Sequence, residues 1–304
     1  MKLQHGDIVD LIAPSSGFSK EEYKSCLKLL ESFGLKACVP EYDELIDESS
    51  IFCANSAQKR FQHLEKALNN PDSKAIWCLS GGYGAYQLLE YLDSIPMPIQ
   101  EKIFIGYSDV TALINYFIGK WNWQNCIYAA NLVEIAEGKK TKESIKNLNQ
   151  IILGEEESVT IELESINNVA KKGAMSVGKI VGGCLSIMQI FLGSKQDFDL
   201  KGRIVFIEDD EFETPGRINR ILDHLLRAGK FDEIAAVVLG SLNGNKEDAG
   251  LKKTIDCLGE KLDNKKIPLL RNKNIGHVEN MISLPLGRFA DISLGEKAVV
   301  NINI

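Results

Sequence analysis

The sequence has no apolar run long enough to cross a membrane and no excess of positive charge. A membrane span needs roughly 18 consecutive apolar residues, and no segment approaches that length. Lys and Arg number 35 against 42 Asp and Glu, a net charge of −7, so the surface repels phosphate backbones and nucleic acid is not an expected partner. The N-terminus, MKLQHGDIVDLIAPSSG, breaks its apolar residues with Gln, His and Asp, which is not typical of a signal peptide.

Patterns typical of metal sites and disulfide scaffolds are also missing. The seven cysteines are odd in number and scattered, and no two have the CxxC spacing of a zinc site. There are only four histidines, and none forms an H-x-x-x-H pair. We therefore expect no metal and no cofactor, and free cysteines together with the missing signal favour a reducing cytoplasm.

Strand and helix signals alternate in the first half of the chain. The segment HGDIVDLIAP predicts a strand, and the helix after it opens with an S-x-x-E capping box formed by Ser19 and Glu22. Further strands are predicted at 35–40, 74–79 and 102–106, with helices between them. Such an alternation predicts a parallel sheet covered on both faces, that is, a doubly wound α/β domain, with binding sites at the carboxyl ends of its strands.

The pattern changes after about residue 140. Mixed strand and helix signals follow, and 304 residues are enough for two cores. We predict an N-terminal doubly wound parallel-sheet domain over residues 1–150 and a smaller C-terminal mixed α/β domain over residues 165–304, joined by a linker at roughly 140–165.

The segment IFIGYSDVTAL places Ser108 in a tight turn between a strand and a helix. A hydroxyl there lies at the carboxyl end of a strand and beside the free N–H groups of a helix N-terminus, which can hold an oxyanion. The segment lacks the G-x-S-x-G of the α/β-hydrolase elbow, so that family is not indicated. A serine in this place can also serve only as a helix cap.

Three other segments carry groups suited to catalysis. The loop Gly81-Gly82-Tyr83-Gly84 follows a strand and can expose backbone N–H groups, although it lacks the third glycine of the dinucleotide fingerprint and could be a plain turn. Glu208 ends a strand within an acidic run that could also be a solvated loop. His277 lies in a Gly-flanked loop, where a general base can reach a substrate. A nucleophile, a carboxylate and an imidazole at strand-to-loop junctions together predict a triad.

These blocks make the chain resemble the LD-carboxypeptidases, the serine peptidase family that also contains the microcin C self-immunity proteins. The resemblance runs nearly end to end, through GDIVDLIAPSS, SGGYG, IGYSDVTAL, GKIVGGCLSIMQIFLGS, IVFIEDDE and IGHVENMISLPLG. It implies Ser108 as nucleophile in the N-terminal domain, and Glu208 and His277 from the C-terminal domain. It implies the backbone N–H groups of Gly81 and Asp109 as oxyanion donors.

The resemblance also implies a reaction: hydrolysis of an L,D-peptide bond that releases the terminal D-alanine of muropeptide tetrapeptides during cell-wall recycling. The substrate would be a small peptide, and because family members often form dimers a homodimer is implied as well. Cationic side chains should hold the substrate's carboxylates, and Arg217 and Arg220, which follow Glu208, are candidates. Both could instead be surface charges on a helix.

The chain departs from the family pattern at three places. Ser80 stands where many carboxypeptidases have Arg, Ala129-Ala130-Asn131 replaces His-Gly-Pro, and Cys184 replaces the Asn after the paired glycines. An Arg before the glycine loop could pair a substrate carboxylate, so an immunity-type amidase acting on aminoacyl-nucleotide conjugates is an alternative function. From another class, the alternative is a catalytically silent small-molecule-binding protein of the same fold.

Overall fold

The computed structural model describes residues 2–154, 157–246 and 248–304. Within these ranges the chain has a mixed α/β fold of two domains. Its strands are β1 Ile8–Ile12, β2 Lys36–Cys38, β3 Ser73–Cys78, β4 Ile103–Gly106, β5 Cys126–Tyr128, β6 Ser158–Ser165, β7 Met175–Cys184, β8 Ile204–Glu208, β9 Ala236–Leu239, β10 Leu269–Arg271, β11 Leu284–Leu286, β12 Phe289–Ser293 and β13 Lys297–Asn303.

Helices connect these strands, and three short 3₁₀ turns supplement them. The α-helices are α1 Lys20–Ser32, α2 Tyr42–Leu45, α3 Ala57–Asn69, α4 Leu89–Leu92, α5 Thr111–Trp121, α6 Leu132–Ala136, α7 Lys142–Ile152, α8 Asn168–Lys172, α9 Leu185–Ile190, α10 Pro215–Arg227 and α11 Ala249–Asn264. The 3₁₀ turns are Ala85–Leu88, Ser108–Val110 and Asn243–Asn245. No helix in the described ranges is long and apolar enough to cross a bilayer.

Local sequence signals explain where α1 begins and ends. Ser19 accepts a hydrogen bond from the backbone of Glu22, whose side chain bonds back to the Ser19 N–H, so the predicted capping box is present. The helix ends at Phe33, and Gly34 after it has a φ of 74°. Tyr23, Cys26 and Leu30 form its buried stripe.

The first sheet has six strands in the order β11-β5-β4-β3-β1-β2. Strands β1 to β5 pair in parallel, as expected for the N-terminal half. Strand β4 lies between β3 and β5, so the turn after Gly106 is adjacent to the carboxyl ends of both neighbours. Parallel sheets bind ligands at this edge.

The second sheet is a closed barrel in the order β10-β6-β13-β12-β7-β8-β9, and β9 pairs with β10 to close the ring. Strands β7, β8, β9 and β10 run parallel, while β6, β12 and β13 pair antiparallel with their neighbours. The barrel was not predicted from the sequence, from which this part was expected only to be mixed α/β. Strands β10, β12 and β13, which the closed barrel requires, were not predicted either.

One strand and several buried hydrogen bonds connect the two domains. Strand β11 returns from the C-terminal half and pairs antiparallel with β5 at the edge of the first sheet. The side chain of Asn115 on α5 bonds both the N–H and the C=O of Gly182 on β7, at 3.2 and 3.0 Å. Thr111 Oγ1 accepts from the Cys184 N–H at 3.0 Å. Because β8 pairs with β7, these bonds fix the end of β8 against α5.

Regular structure fills much of the segment predicted as a linker. Helix α7 and strand β6 lie within residues 140–165, and β6 belongs to the barrel. Residues 155 and 156 of that segment lie outside the described residues. The domain bounds 1–150 and 165–304 stay a prediction.

Candidate active site

Ser108 follows strand β4 in a strained turn. Its φ is 64°, in the left-handed region that residues other than glycine seldom adopt. Strain of this kind costs about 1–3 kcal/mol and is concentrated at functional sites. In the described structure the Ser108 side chain does not cap the helix that follows, because Tyr107 and Val110 hold the N-cap positions and neither makes a side-chain cap bond. The Ser108 hydroxyl therefore does not serve as a helix cap, which was the alternative role considered from the sequence.

Glu208 and His277 form a directly bonded pair. Glu208 ends β8 and is fully buried, and its Oε2 lies 2.7 Å from His277 Nδ1 and 3.1 Å from the His277 backbone nitrogen. The imidazole is 19% exposed, so it closes off the carboxylate and still borders solvent. With Nδ1 donating to the carboxylate, Nε2 is left to take up a proton.

Gly276 allows this close approach. Its φ is 110°, and a Cβ at this position would lie 2.3 Å from Glu208 Oε2. No side chain fits in that space. The glycine beside His277, which in the sequence only marks a loop, is thus required for the carboxylate to reach the imidazole.

Tyr128 connects the turn at Ser108 to the same carboxylate. Its hydroxyl donates to Glu208 Oε1 at 2.5 Å and accepts from the Ser108 backbone N–H at 3.2 Å. Tyr128 is fully buried at the end of β5, next to β4 in the sheet. Both oxygens of Glu208 therefore have partners, as a buried carboxylate requires.

The imidazole of His277 also lies beside Tyr107, the residue before Ser108. The rings of Tyr107 and His277 have centroids 4.8 Å apart. The Tyr107 hydroxyl donates to Glu134 at 2.5 Å, which fixes the ring. Among the described residues no hydrogen bond joins Ser108 Oγ to His277, so the acid and the imidazole touch while the alcohol is held nearby through Tyr107 and Tyr128. Catalytic hydrogen bonds are often long in enzymes without substrate.

The glycine loop lies directly against Ser108. A Cβ on Gly81 would be 3.4 Å from Ser108 Oγ. The Gly81 carbonyl accepts from the Ser16 N–H at 3.0 Å, whereas the Gly81 N–H has no protein acceptor in the part of the chain that the structure describes. A free backbone N–H beside a nucleophile is the kind of donor that an oxyanion needs.

The side chain of Asp109, the residue after Ser108, connects two segments of the site. The carboxylate is buried, and its Oδ2 accepts from Ser15 Oγ and from the Ala85 N–H, each at 2.7 Å. Burial raises the pKa of the Asp109 carboxyl, and the hydrogen bonds from Ser15 and Ala85 act in the opposite direction. These bonds tie the glycine loop to the turn that carries Ser108.

Nearby carboxylates dominate the electrostatics of the imidazole. Burial disfavours its charged form, but the charge and hydrogen bond of Glu208, followed by the charges of Asp210 and Asp209, outweigh burial and raise the pKa of His277 to about 9. Burial, followed by the charge of Glu208, also raises the pKa of Asp209 to about 7. The site therefore favours a protonated imidazole at neutral pH.

The two arginines predicted to bind substrate lie on α10. Arg217 pairs with Glu213 at 2.6 Å and its side chain is 61% exposed. Arg220 is exposed. Among the described residues neither bonds to Ser108, Glu208 or His277, and their role in substrate binding stays a prediction.

Two of the departures from the family pattern have structural partners. The Ser80 hydroxyl donates to the Ser16 carbonyl. At this position the chain therefore has a hydrogen bond between loops, where the family pattern has the positive charge of Arg. Cys184 Sγ lies 3.2 Å from Asp209 Oδ1, in the layer behind Glu208. Among the described residues, no group of three His, Cys, Asp or Glu side chains is placed to hold a metal ion.

Sequence reasoning missed Tyr128, Tyr107 and the side chain of Asn131. All three border the turn at Ser108, and Asn131 contacts both Gly81 and the Tyr107 N–H. One signal could have identified Tyr128, because it ends a strand adjacent to β4 and the carboxyl ends of parallel strands meet. That strand has only three residues and was not assigned.

Two family models together match most of the chain. Residues 9–129 match the LD-carboxypeptidase N-terminal domain, and residues 177–292 match the LD-carboxypeptidase C-terminal domain. The first region contains the turn at Ser108, and the second contains Glu208 and His277.

Several named proteins are similar to this chain over most of its length. A Rickettsia conorii protein named as a carboxypeptidase is 33% identical over 227 residues, which is 74% of this chain and 70% of that protein. A Bacillus subtilis protein named as a murein peptide carboxypeptidase is 27% identical over 306 residues, covering 98% and 92% of the two chains. The microcin C7 self-immunity protein of Escherichia coli is 27% identical over 300 residues, covering 90% and 86%.

The fold matches a solved structure over its whole length. The crystal structure of muramoyltetrapeptide carboxypeptidase from Oxalobacter formigenes superposes with a TM-score of 0.81 at 21% identity, and the match covers 98% of this chain and 99% of that one. At this identity the similarity establishes the fold alone.

Proposed function

The chain belongs to the LD-carboxypeptidase family, and on that premise we propose that it is a serine peptidase that hydrolyses an L,D-peptide bond. The proposed substrate is a muropeptide tetrapeptide, from which the enzyme releases the terminal D-alanine during cell-wall recycling in the cytoplasm. The bond broken joins the L-centre of a diamino acid to D-alanine. The reaction requires a nucleophile, a base and an oxyanion site, and no cofactor.

The contact that carries this proposal is the pair Glu208–His277, with a 2.7 Å bond, in the same small site as Ser108. The fully buried carboxylate fixes the imidazole tautomer and stabilises the imidazolium that forms. Tyr128 bonds both Glu208 and the Ser108 N–H, so one hydroxyl links the acid to the turn that carries Ser108.

In the proposed mechanism His277 Nε2 accepts the proton of Ser108 as Oγ attacks the carbonyl carbon of the scissile bond. The N–H groups of Gly81 and Asp109 hold the oxyanion, and each such donor is typically worth about 3–4 kcal/mol. Collapse of the tetrahedral intermediate expels D-alanine, which receives the proton from His277. Water, activated by His277, then hydrolyses the acyl-enzyme.

The raised pKa of His277 limits the fraction of the imidazole that can act as a general base at neutral pH. An imidazole with a pKa of about 9 is mostly protonated at neutral pH and must lose its proton before it can act as a general base. The same shift makes the protonated imidazole a good stabiliser of the charged intermediate. We expect substrate binding to expel water and to bring Ser108 Oγ within reach of Nε2.

The test is to incubate the purified protein with a muropeptide tetrapeptide and to identify the products by mass spectrometry. We expect a tripeptide and free D-alanine, and no cleavage of a tetrapeptide that ends in L-alanine. Ser108→Ala should fold as the parent does and lose nearly all activity, roughly 10⁴-fold or more. Full activity of Ser108→Ala, or no cleavage by the parent, would contradict the proposal.

A second candidate is an amidase that cleaves aminoacyl-nucleotide conjugates, and the observation that favours it is Ser80. Its hydroxyl bonds the Ser16 carbonyl, so position 80 itself does not supply a guanidinium to pair a substrate carboxylate. The similarity to the microcin C7 self-immunity protein agrees with this candidate. Incubation with an aminoacyl sulfamoyl adenosine distinguishes the two, because only the amidase would release the amino acid from it.

A further inference from the structure

Asn131 lies between the turn that carries the nucleophile and the glycine loop. A Cβ on Gly81 would be 2.9 Å from Asn131 Nδ2 and 3.4 Å from Ser108 Oγ, so the amide nitrogen and the hydroxyl border the same small volume. Asn131 is only 2% exposed. Its side chain is therefore confined beside the space that the reacting carbonyl must enter.

A hydrogen bond to Oδ1 sets the orientation of the Asn131 side-chain amide. Oδ1 accepts from the Tyr107 N–H at 3.4 Å, and a backbone N–H can only donate. The opposite end of the planar amide is therefore the NH₂ group, which faces Gly81. In this orientation Asn131 presents donors to the neighbourhood of Ser108.

Asn131 does not perform the structural role that its position suggests. It is the N-cap residue of α6, where asparagine normally accepts from the first free N–H groups of the helix, yet its side chain makes no cap hydrogen bond. Among the described residues its NH₂ group also has no protein acceptor. This NH₂ group is therefore left to donate to an acceptor from outside the chain, either water or an oxygen of the substrate.

We propose that the side-chain amide of Asn131 is a third oxyanion donor, acting beside the backbone N–H groups of Gly81 and Asp109. As Ser108 Oγ bonds to the carbonyl carbon, the π pair moves onto the carbonyl oxygen and the proton of Ser108 passes to His277. The negative charge on that oxygen is what the Asn131 NH₂ group stabilises. This inference rests on the proposed function, since it requires attack by Ser108.

The competing explanation is that Asn131 only holds Tyr107 in place through Oδ1. Asn131→Asp separates the two roles, because aspartate keeps the shape and the acceptor for the Tyr107 N–H but has no NH₂ donor. Asn131→Leu keeps the approximate volume and removes both groups. A role limited to Tyr107 predicts normal activity for Asn131→Asp and reduced activity for Asn131→Leu alone.

The experiment measures kcat and KM for the parent and for both variants at the pH plateau of each, on whichever substrate the parent cleaves, tetrapeptide or aminoacyl sulfamoyl adenosine. We expect kcat to fall about 100-fold or more in both variants, while KM changes less than about threefold, because the donor acts on the transition state. Asn167→Asp is the matched control. Asn167 is also a buried N-cap asparagine, but it caps Ala170 and lies on the barrel.

The control should lower the melting temperature with little change in kcat, because its amide bonds the Ile267 carbonyl and no part of the site. Asn131→Asp with kcat within about threefold of the parent would overturn the role of Asn131 and leave the serine mechanism intact. A parent protein that cleaves neither substrate would instead overturn the proposed function, and this inference with it.

Discussion

The hydroxyl of Tyr128 lies 2.5 Å from Oε1 of Glu208, and it also accepts the Ser108 backbone N–H. One phenol from the first sheet therefore joins a carboxylate from the barrel to the turn at Ser108. Strand β8 carries Glu208, and Tyr128 ends β5. The site is thus assembled by the interface between the two domains, and the interface bonds between α5 and β7 support its geometry.

Tyr128→Phe tests this link. The variant keeps the ring but leaves Glu208 Oε1 and the Ser108 N–H without their partner, so we expect the free energy of unfolding to fall by about 1–3 kcal/mol. We expect kcat to fall at least about tenfold, because the carboxylate and the nucleophile lose their common anchor. Denaturant unfolding and steady-state kinetics measure the two effects. Unchanged values in both would mean that the hydroxyl is dispensable.

The pH dependence of activity should reflect the raised pKa of His277. The base must be deprotonated, and its pKa is about 9, so kcat/KM should rise close to tenfold per pH unit from pH 6.5 and level off near pH 9. A complete initial-rate profile checks this. A plateau that is already reached at pH 7 would show that the free imidazole titrates normally.

Stability should change in the opposite direction over the same pH range. The pKa of His277 is higher in the folded protein than the value of about 6.5 expected in the unfolded chain. The pair with Glu208 therefore contributes fully to stability below about pH 6.5, and its contribution is lost as pH rises through about 9. We expect His277→Gln to flatten the decline of the melting temperature between those values, compared with the parent protein.

Asp209→Asn tests whether the charge of Asp209 helps to raise the pKa of His277, because the substitution removes the charge with little change in shape. The charge of Asp209 helps to raise the pKa of His277, and Asn removes the charge while keeping the size of the side chain. We expect the rising limb of the kcat/KM profile to move to lower pH. Asp256→Asn is a control for a general loss of charge, because Asp256 lies on the exposed face of α11 and pairs with Lys252. An equal shift in both variants would contradict a local effect.

Local patterns predicted many of the elements, and resemblance predicted the triad residues. The capping box at Ser19 and the turn at Ser108 are short-range features that a sequence displays directly. The contact between Glu208 and His277 was expected from chemistry and order, and it is present. The barrel was not expected, since its closure depends on pairing between β9 and β10 and on short C-terminal strands that carry little signal.

The supporting residues of the site could not be predicted for a different reason. Tyr128 ends a strand of three residues that was not predicted, and Asn131 stands in the sequence without a motif that marks it as functional. Their roles depend on which atoms lie opposite them in three dimensions, namely Glu208 Oε1 and the backbone of Gly81. Only the direction of the Asn131 side chain, away from its own helix, distinguishes it from an ordinary cap.

Gly276→Ala tests whether close packing sets the triad. A Cβ there would lie 2.3 Å from Glu208 Oε2, on backbone with a φ of 110°, so the carboxylate or the His277 loop must move. We expect a loss of about 2–4 kcal/mol in the free energy of unfolding, from left-handed strain together with overpacking, and a large fall in kcat. Gly193→Ala is the matched control, because Gly193 has a φ of 74° but nothing within 4 Å of its Cβ position. The control should lose only the stability that backbone strain at a positive φ costs, and it should retain activity. Equal losses of stability and activity in the two variants would mean that the clash with Glu208 contributes to neither.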